Sequence, residues 1–177
     1  MRYAAPSDAE ALAVFAESSF REAFAAANSV ESMTRHCEAS FGAAIQAAEI
    51  ANPRVRTLLI DHDDELAGFA QLRFSPPPPC VRAQGAGEIQ RFYVSSRWHG
   101  QGLAQRLMAA CIDGVRAQGG DAVWLGVWEH NPRAITFYRK CGFEAVGEHT
   151  FFLGEERQRD IVMLRSLDGN ASTPGVE

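Results

Sequence analysis

The segment RWHGQGLA (residues 97–104) places two glycines one residue apart, between a strand-like run and a helix-like run. The run before it, EIQRFYV (residues 88–94), has the apolar and aromatic content of a strand. The run that follows, residues 101–118, repeats apolar side chains every three to four positions, which predicts an amphipathic helix. The segment therefore predicts a strand–loop–helix unit.

The glycines of this loop favour a phosphate site, because a helix N-terminus exposes backbone N–H groups and the positive end of the helix dipole. Without side chains, Gly100 and Gly102 would let a phosphate reach the backbone. Arg97 and His99 would add positive charge. The dinucleotide-binding fingerprint needs a third glycine where Gln105 stands, and the P-loop sequence G-K-[ST] is absent. The loop predicts a phosphate cradle of another kind, although two glycines can also merely shape a turn.

Composition places the chain among ordinary globular proteins. Its 177 residues, 46% hydrophobic and 22% charged, predict one domain with a sizeable core. The net charge of −5 argues against a nucleic-acid-binding protein, which usually carries a basic face. The four cysteines form no C-x-x-C pair, so neither a metal site nor a disulfide framework is indicated, and a cytoplasmic location is expected. No membrane-spanning run and no signal peptide are evident, so no membrane association is expected.

The order of predicted elements describes a mixed sheet flanked by helices. Each element is assigned from its apolar period and from the proline and glycine residues that end it. Strands are predicted at residues 2–4, 57–61, 66–74, 88–94, 122–127, 143–148 and 159–167, with a turn near Gly154 between the last two. Helices are predicted at residues 8–26, 30–51, 101–118 and 131–142. This order predicts an α/β (α+β) domain with helices on both faces of its sheet.

Two motifs, in this order, resemble those of the GNAT N-acetyltransferases. The run R-x-x-G-x-G-x-A in residues 97–104 is similar to the family's motif A, whose loop holds the pyrophosphate of acetyl-coenzyme A. About 30 residues later, WEHNPRAITFYRKCGF (residues 128–143) is similar to motif B, N-x-x-A-x-x-F-Y-x-x-x-G-F. The matching positions are Asn131, Ala134, Phe137, Tyr138, Gly142 and Phe143. One departure is Ser96, where many members carry proline.

The resemblance implies one GNAT-type domain over residues 2–167, and the polar composition of residues 168–177 predicts a disordered tail. It implies a twisted, mostly antiparallel sheet of about seven strands, about four helices on its two faces, and central strands that splay apart. Acetyl-coenzyme A is the implied co-substrate, with no metal taking part. The residues implied to contact the coenzyme are Phe92, Tyr93, Val94, Arg97, His99, Gly100, Gln101, Gly102, Leu103, Ala104, Asn131 and Tyr138.

Catalytic roles are implied by what acetyl transfer to an amine requires. A protonated amine must lose a proton, the thioester oxyanion must be stabilised, and the leaving thiolate benefits from a proton. By resemblance, Glu88 is the candidate general base and Tyr138 the candidate general acid, while backbone N–H groups around residues 92–94 would contact the thioester carbonyl. Alternatives stay open: Glu88 as a solvated strand-end residue, Tyr138 as part of an apolar helix face, and Asn131 as a helix cap, a coenzyme ligand or both.

A narrower resemblance concerns the acceptor. Residues 125–167 and the segment SSFREAF (residues 18–24) are similar to bacterial spermidine/spermine N-acetyltransferases. The expected activity is acetyl transfer to a primary amine of a small molecule, with a polyamine as the narrower candidate, by direct attack in a ternary complex. Two alternatives remain: acetylation of a protein or peptide amine, and a non-catalytic acetyl-coenzyme A sensor. A homodimer is compatible with the sequence, whereas a nucleic-acid or membrane partner is not expected.

Overall fold

The computed structural model describes residues 1–153 and 156–167, which form a seven-stranded mixed sheet with helices on both faces. The strand order along the sheet is β1-β2-β3-β4-β5-β7-β6. Strands β4 and β5 pair in parallel, and the other neighbouring strands pair antiparallel. The strands are β1 (Arg2–Tyr3), β2 (Val55–His62), β3 (Glu65–Arg73), β4 (Ala86–Val94), β5 (Ala122–Trp128), β6 (Glu144–Leu153) and β7 (Glu156–Ser166). This architecture confirms the fold class that the sequence predicted.

The described residues form five α-helices, one more than expected. They are α1 (Ala9–Phe24), α2 (Val30–Ser40), α3 (Ala43–Ala51), α4 (Leu103–Arg116) and α5 (Pro132–Lys140). The single helix expected over residues 30–51 is wrong, because the chain leaves helical geometry at Phe41 and Gly42. Gly42 is extended, with φ −60° and ψ 148°, and caps α3, while the Phe41 side chain is only 2% exposed. Burial of this phenylalanine accompanies the break, which the alanine-rich composition did not reveal.

Apolar cores lie on both sides of the sheet. Helices α1 and α2 pack on one side, which we call the α1 face, where Leu12 and Phe20 contact the core around Phe69. Helices α4 and α5 pack on the opposite side, the α4 face, through residues such as Leu107 and Ile135. Because side chains alternate along a strand, each central strand sends one set of residues to each face.

The parallel strands β4 and β5 separate after a short stretch of pairing. Residues 86–88 pair with residues 122–124, and the described pairing ends there. Beyond it, β4 stays on β3 as far as Val94, while β5 stays on β7 as far as Trp128. The divergence leaves an opening between the two strands, which we call the strand gap. It matches the splayed central strands that the resemblance implied.

A β-bulge lies at the start of the strand gap. The register between β3 and β4 shifts between Gln71 and Leu72, which makes Gln90 the extra residue of β4. The next residue, Arg91, donates to the Glu49 carboxylate of α3 at 2.5 Å. This contact ties the bulged part of β4 to a helix on the α1 face.

The last two strands form a hairpin whose described part is longer than expected, because pairing between β6 and β7 continues to Leu153 and Glu156. The turn expected near Gly154 and the disordered tail expected over residues 168–177 fall outside the described residues. Within the part of the chain that the structure describes, no helix has both the length and the apolar character needed to cross a membrane.

Candidate active site

The glycine loop lies at the N-terminus of α4, where its sequence predicted it. Gly100 and Gly102 have φ angles of 82° and 78°, in the left-handed region that favours glycine. A Cβ atom at either position would meet no atom within 4 Å, so the space beside both residues is open. Gly102 is the last residue before the helix, whose first-turn N–H groups have no helical partner. Open space, free N–H groups and the helix dipole are together suited to an anion.

Arg97 has partners that the sequence did not reveal. Its guanidinium lies over the buried Trp98 ring, 4.6 Å from the centroid, and pairs with Glu65 of β3 at 2.6 Å. The side chains of the pair are 62% and 60% exposed, so solvent screens their attraction. Arg97 therefore remains accessible beside the loop.

His99 connects the glycine loop to β4 and to α5. Its Nε2 lies 3.0 Å from the carbonyl oxygen of Val94, and its Nδ1 lies 2.7 Å from a guanidinium nitrogen of Arg133. An imidazole that donates from Nε2 and accepts at Nδ1 satisfies both contacts. Arg133 thus brings a second guanidinium beside the loop. Sequence analysis missed Arg133, and its position just inside the N-terminus of α5, after Asn131, was the available signal.

The side chains of three other residues expected to contact the coenzyme differ in how far they are exposed to solvent. Leu103 is 2% exposed, with its side chain in the α4-face core, and Ala104 is partly buried. Gln101 is exposed. Leu103 and Ala104 therefore present backbone N–H groups, rather than side chains, at the start of the helix.

Residues 92–94 of β4 border the strand gap and point alternately to the two faces. Phe92 packs on the α4 face against Phe137, with ring centroids 5.7 Å apart. Tyr93 stacks on Phe69 on the α1 face, with ring centroids 5.6 Å apart. Because described pairing of β4 with β5 has ended before this stretch, backbone groups that point toward β5 are free of a strand partner there.

Asn131 caps α5, as its position in the sequence predicted. Its side-chain oxygen accepts the backbone N–H of Ala134 at 3.1 Å, and Pro132 occupies the first helical position. Within the described residues, the side-chain amide nitrogen of Asn131 has no hydrogen-bond acceptor. One side chain therefore caps the helix and keeps a donor free beside it.

Tyr138 lies on α5 with its ring in the α4-face core, only 9% exposed. The ring lies edge-on to Phe92, with ring centroids 6.2 Å apart, and packs against Phe143, with centroids 5.9 Å apart. Removal from water raises the pKa of Tyr138 well above its ordinary value, and the nearby Tyr93 and Cys111 groups add to this effect. The hydroxyl therefore keeps its proton at neutral pH. Among the described residues it has no hydrogen-bond partner, so it remains available as a donor.

Glu88 lies at the closed end of the strand gap, where it pairs with Arg73 of β3 and Trp124 of β5. Its neighbour Ile89 is in the α4-face core, so Glu88 points to the α1 face. Burial raises the pKa of Glu88, and the positive charges of Arg73 and His149 oppose the increase. A carboxylate with a raised pKa is a stronger base. The two expected catalytic residues thus lie on opposite faces of the sheet.

A histidine–carboxylate pair on the α1 face was not predicted from the sequence. His149 of β6 and Asp160 of β7 are register partners, and their Nε2 and Oδ2 atoms lie 3.6 Å apart. Gly126 of β5 faces them, since a Cβ there would lie 3.0 Å from the imidazole and 3.2 Å from the carboxylate. Burial raises the pKa of Asp160, and the charge of His149 opposes the increase. The strand register that unites the two residues was not readable from their spacing.

The α1 face of the strand gap is partly covered by the end of α1 and the loop that follows it. Asn28 accepts a hydrogen bond from the side-chain amide of Gln158 on β7 at 2.6 Å. The Phe24 ring lies edge-on to Trp128 at the end of β5, with centroids 6.0 Å apart. These contacts reach from the end of α1 across the α1 face to β5 and β7. They therefore narrow the approach to the strand gap from the α1 face.

A cavity of about 750 Å³ opens beside these contacts, with Trp128, His149 and Gln158 among its lining residues. Two further lining residues, Glu129 and Glu148, both receive hydrogen bonds from Arg159, at 2.5 Å and 2.9 Å. The cavity therefore combines apolar, amide, imidazole and paired charged groups. Its size suits a small molecule.

No group of three or more His, Cys, Asp or Glu side chains within the described residues is arranged to hold a metal ion. The four cysteines are free thiols, and burial in α4 raises the pKa of Cys111 to about 12. A buried thiol with so high a pKa is a poor nucleophile.

Comparison with known sequences connects this geometry to one family. The model of the acetyltransferase (GNAT) family matches residues 16–143. An uncharacterised N-acetyltransferase of Mycobacterium tuberculosis is 33% identical over 161 residues, which cover 90% of this chain and 98% of the relative. A spermine/spermidine N(1)-acetyltransferase of Bacillus subtilis is 28% identical over 91 residues, which cover 51% of this chain and 60% of that protein.

Solved structures share the fold at low sequence identity. The PaiA N-acetyltransferase from Thermoplasma acidophilum, solved in complex with coenzyme A, superposes with a TM-score of 0.76 at 20% identity, covering 93% of this chain and 96% of the other. A ribosomal-protein-alanine N-acetyltransferase from Brucella melitensis gives a TM-score of 0.65 at 20% identity, covering 94% and 98%. Because neighbours with this fold differ in their named acceptors, the fold by itself does not identify the acceptor.

Proposed function

The chain belongs to the GNAT acetyltransferase family and is an acetyl-coenzyme A-dependent N-acetyltransferase, and from this premise we propose that its acceptor is a primary amine of a small molecule. The amine attacks the acetyl group directly, in a ternary complex. The observation that carries this proposal is the cover over the α1 face, where Asn28 contacts Gln158 and Phe24 contacts Trp128. A polypeptide acceptor needs an open groove, whereas a small amine fits the cavity of about 750 Å³ beside the cover.

The residues at the start of α4 suit the coenzyme. The open space at Gly100 and Gly102 and the free N–H groups of the first helical turn favour a pyrophosphate there. Arg97, His99 and Arg133 surround this loop and supply positive charge or hydrogen-bond donors. The strand gap leads from the loop toward the interior of the sheet, and its unpaired backbone groups suit the amide-containing arm of the coenzyme. Bound acetyl-coenzyme A supplies the activated acetyl group.

Two side chains are proposed to move protons. Tyr138 holds its proton at neutral pH, which suits a general acid that protonates the leaving thiolate. Glu88, whose pKa is raised by burial, takes a proton from the acceptor ammonium directly or through water. Their placement on opposite faces supports an acceptor that approaches from the α1 face while the thiolate leaves toward the α4 face.

Polyamines are the narrower candidate acceptors. The similarity to the Bacillus subtilis spermine/spermidine N(1)-acetyltransferase supports them, although it covers about half of this chain. The carboxylates near the cavity are a second support, because carboxylates attract the amino groups of a polyamine. Of these, Glu129 and Glu148 are paired with Arg159, whereas Asp160 contacts a histidine.

Thiol release tests the proposal directly. Purified protein and acetyl-coenzyme A are mixed with spermidine, spermine, simple monoamines, amino acids and short peptides, and free thiol is followed by an Ellman-type assay. Turnover with small amines, confirmed by mass spectrometry of the acetylated product, is the expected result. Preference for spermidine and spermine over monoamines of equal concentration would establish the narrower class.

Two other outcomes would redirect the assignment. Preference for peptides over every small amine would favour a protein or peptide N-acetyltransferase. Tight coenzyme A binding by calorimetry without turnover of any amine would favour a sensor module. Lack of coenzyme A binding would contradict the assignment of the glycine loop.

A further inference from the structure

Converting an acceptor ammonium into an amide removes two protons from one nitrogen. The first leaves before the lone pair can attack, and the second leaves as the amide forms. One proton ends on the released thiol and the other reaches solvent. Glu88, at the closed end of the strand gap, is the proposed acceptor of one of them. A second base facing the open part of the gap would complete the transfer.

The His149 side chain lies over Gly126 on the α1 face, beside the open part of the strand gap. Gly126 is two residues beyond Trp124, the last β5 residue in the described pairing with β4. A Cβ at Gly126 would lie 3.0 Å from both Cε1 and Nε2 of His149, so the absence of a side chain leaves room for the imidazole. The His149 side chain is 35% exposed and lines the cavity described above. It therefore touches both the gap and the space proposed for the acceptor.

Asp160 orients this imidazole. Its Oδ2 lies 3.6 Å from Nε2, so that nitrogen faces the carboxylate and Nδ1 is the other, available nitrogen. Within the described residues, neither nitrogen of His149 forms a hydrogen bond, and Asp160 is its ion-pair partner. The Asp160 side chain is 14% exposed, and no arginine or lysine among the described residues forms an ion pair with it. A carboxylate beside an imidazole attracts the positive charge that the ring carries once it has accepted a proton.

We propose that His149, oriented by Asp160, is a second catalytic proton acceptor on the acceptor side of the strand gap. This inference deepens the proposed function and depends on it. A proton leaves the acceptor nitrogen for Nδ1 of His149, and the freed electron pair forms the N–C bond to the acetyl carbonyl. The C–S bond breaks with its electron pair on sulfur, which takes the proton of Tyr138. Glu88 receives the other nitrogen proton, and solvent exchange restores all three side chains.

The test uses the full chain, acetyl-coenzyme A and the best small amine from the thiol-release panel. His149→Ala is expected to lower kcat about 10²-fold, the lower end for loss of a general base, with the coenzyme A Kd unchanged. Added imidazole is expected to restore at least part of kcat, because removal of the ring leaves a space over Gly126 that the added imidazole can fill. Asp160→Asn is expected to lower kcat by a smaller factor, and imidazole is expected not to restore it.

His62→Gln is the matched control, because this histidine at the end of β2 has a side chain of similar exposed fraction, 33%, and is not among the residues that line the cavity. Its kcat is expected to stay within about twofold of wild type. If His149→Ala does not fold, as judged by circular dichroism, His149→Gln replaces it and its kcat is compared with the same control.

Three outcomes would overturn the inference. One is a wild-type kcat in the His149 variants. A second is a raised amine KM with unchanged kcat, which would make His149 a binding residue only. The third is loss of kcat in folded His149→Ala without any imidazole rescue. Wild-type protein that acetylates no amine would instead refute the proposed function, and this inference with it.

Discussion

The two faces of the sheet build their parts of the site in different ways. On the α4 face, the glycine loop and the start of α5 come from two continuous segments, residues 97–104 and 131–138. On the α1 face, Glu88, Gly126, His149 and Asp160 come from four different strands. The first group offers mainly backbone N–H groups and one helix-borne tyrosine, whereas the second offers side chains that only strand pairing brings together.

This difference explains which parts of a functional site can be predicted from the sequence. A coenzyme phosphate is bound by local backbone geometry, so its glycines recur at a fixed spacing. An acceptor is bound by side chains whose neighbours depend on register, and a shift of one residue would turn each of them to the other face. Variants on the two faces are therefore expected to affect different kinetic constants.

The largest effect is expected from Tyr138→Phe, which removes only a hydroxyl on the α4 face. We expect kcat to fall about 10²- to 10³-fold, as for loss of a general acid, with little change in the coenzyme A Kd. Steady-state thiol release and calorimetry measure the two constants. Tyr3→Phe is the control, because Tyr3 is 54% exposed on the edge strand β1. A normal kcat in Tyr138→Phe would assign this residue to packing alone.

The next effect is a loss of coenzyme affinity in Gly102→Ala. A Cβ would intrude on the space proposed for pyrophosphate, so the Kd for coenzyme A is expected to rise about tenfold or more, or about 1.4 kcal/mol. The left-handed φ of 78° also costs stability, about 1 kcal/mol for alanine. Gly119→Ala separates the two effects, because Gly119 has φ 75° and equally open surroundings. It should lose similar stability in urea unfolding and keep its affinity, and equal affinity losses in both variants would contradict the phosphate cradle.

Glu88→Gln, on the α1 face, is expected to lower activity and to raise thermal stability. We expect kcat to fall about tenfold, since His149 remains as a second base. Burial raises the pKa of Glu88, so its ionised form costs the folded state stability at pH values above that raised pKa. The variant should therefore melt at a higher Tm than the wild type at pH 7. This gain should vanish below the ordinary glutamate pKa of about 4.3, where the carboxyl is protonated in both states. A Tm gain that persists there would refute the electrostatic explanation.

The smallest effect is expected from Asn28→Ala, which removes one contact of the cover over the α1 face. Loss of one hydrogen bond of about 1 kcal/mol should loosen the cover, so the kcat/KM for a short peptide should rise about threefold relative to that for spermidine. Paired thiol-release assays measure this ratio. Asn52→Ala, at the exposed end of α3, should leave the ratio unchanged. An unchanged ratio in Asn28→Ala would mean that the cover does not select acceptor size.

Local sequence was enough to predict the glycine loop before α4, the cap of α5, the family and the order of the elements apart from the break between α2 and α3. Each depends on residues close together in the chain: the period of α4, the positive-φ glycines, and Asn131 with Pro132. These features predict local structure because backbone conformation and helix ends are decided within a few residues.

Three features could be found only in the folded structure. They are the break between α2 and α3, the contact of His99 with Arg133, and the pairing of His149 with Asp160 beside Gly126. The break follows burial of Phe41 in a core assembled from several elements. The two side-chain contacts follow from helix placement and strand register, which depend on packing across the whole sheet. Residues that meet through such packing carry no fixed spacing in the sequence, so the glycine loop could be predicted in outline, whereas the neighbours of Glu88 on the α1 face could not.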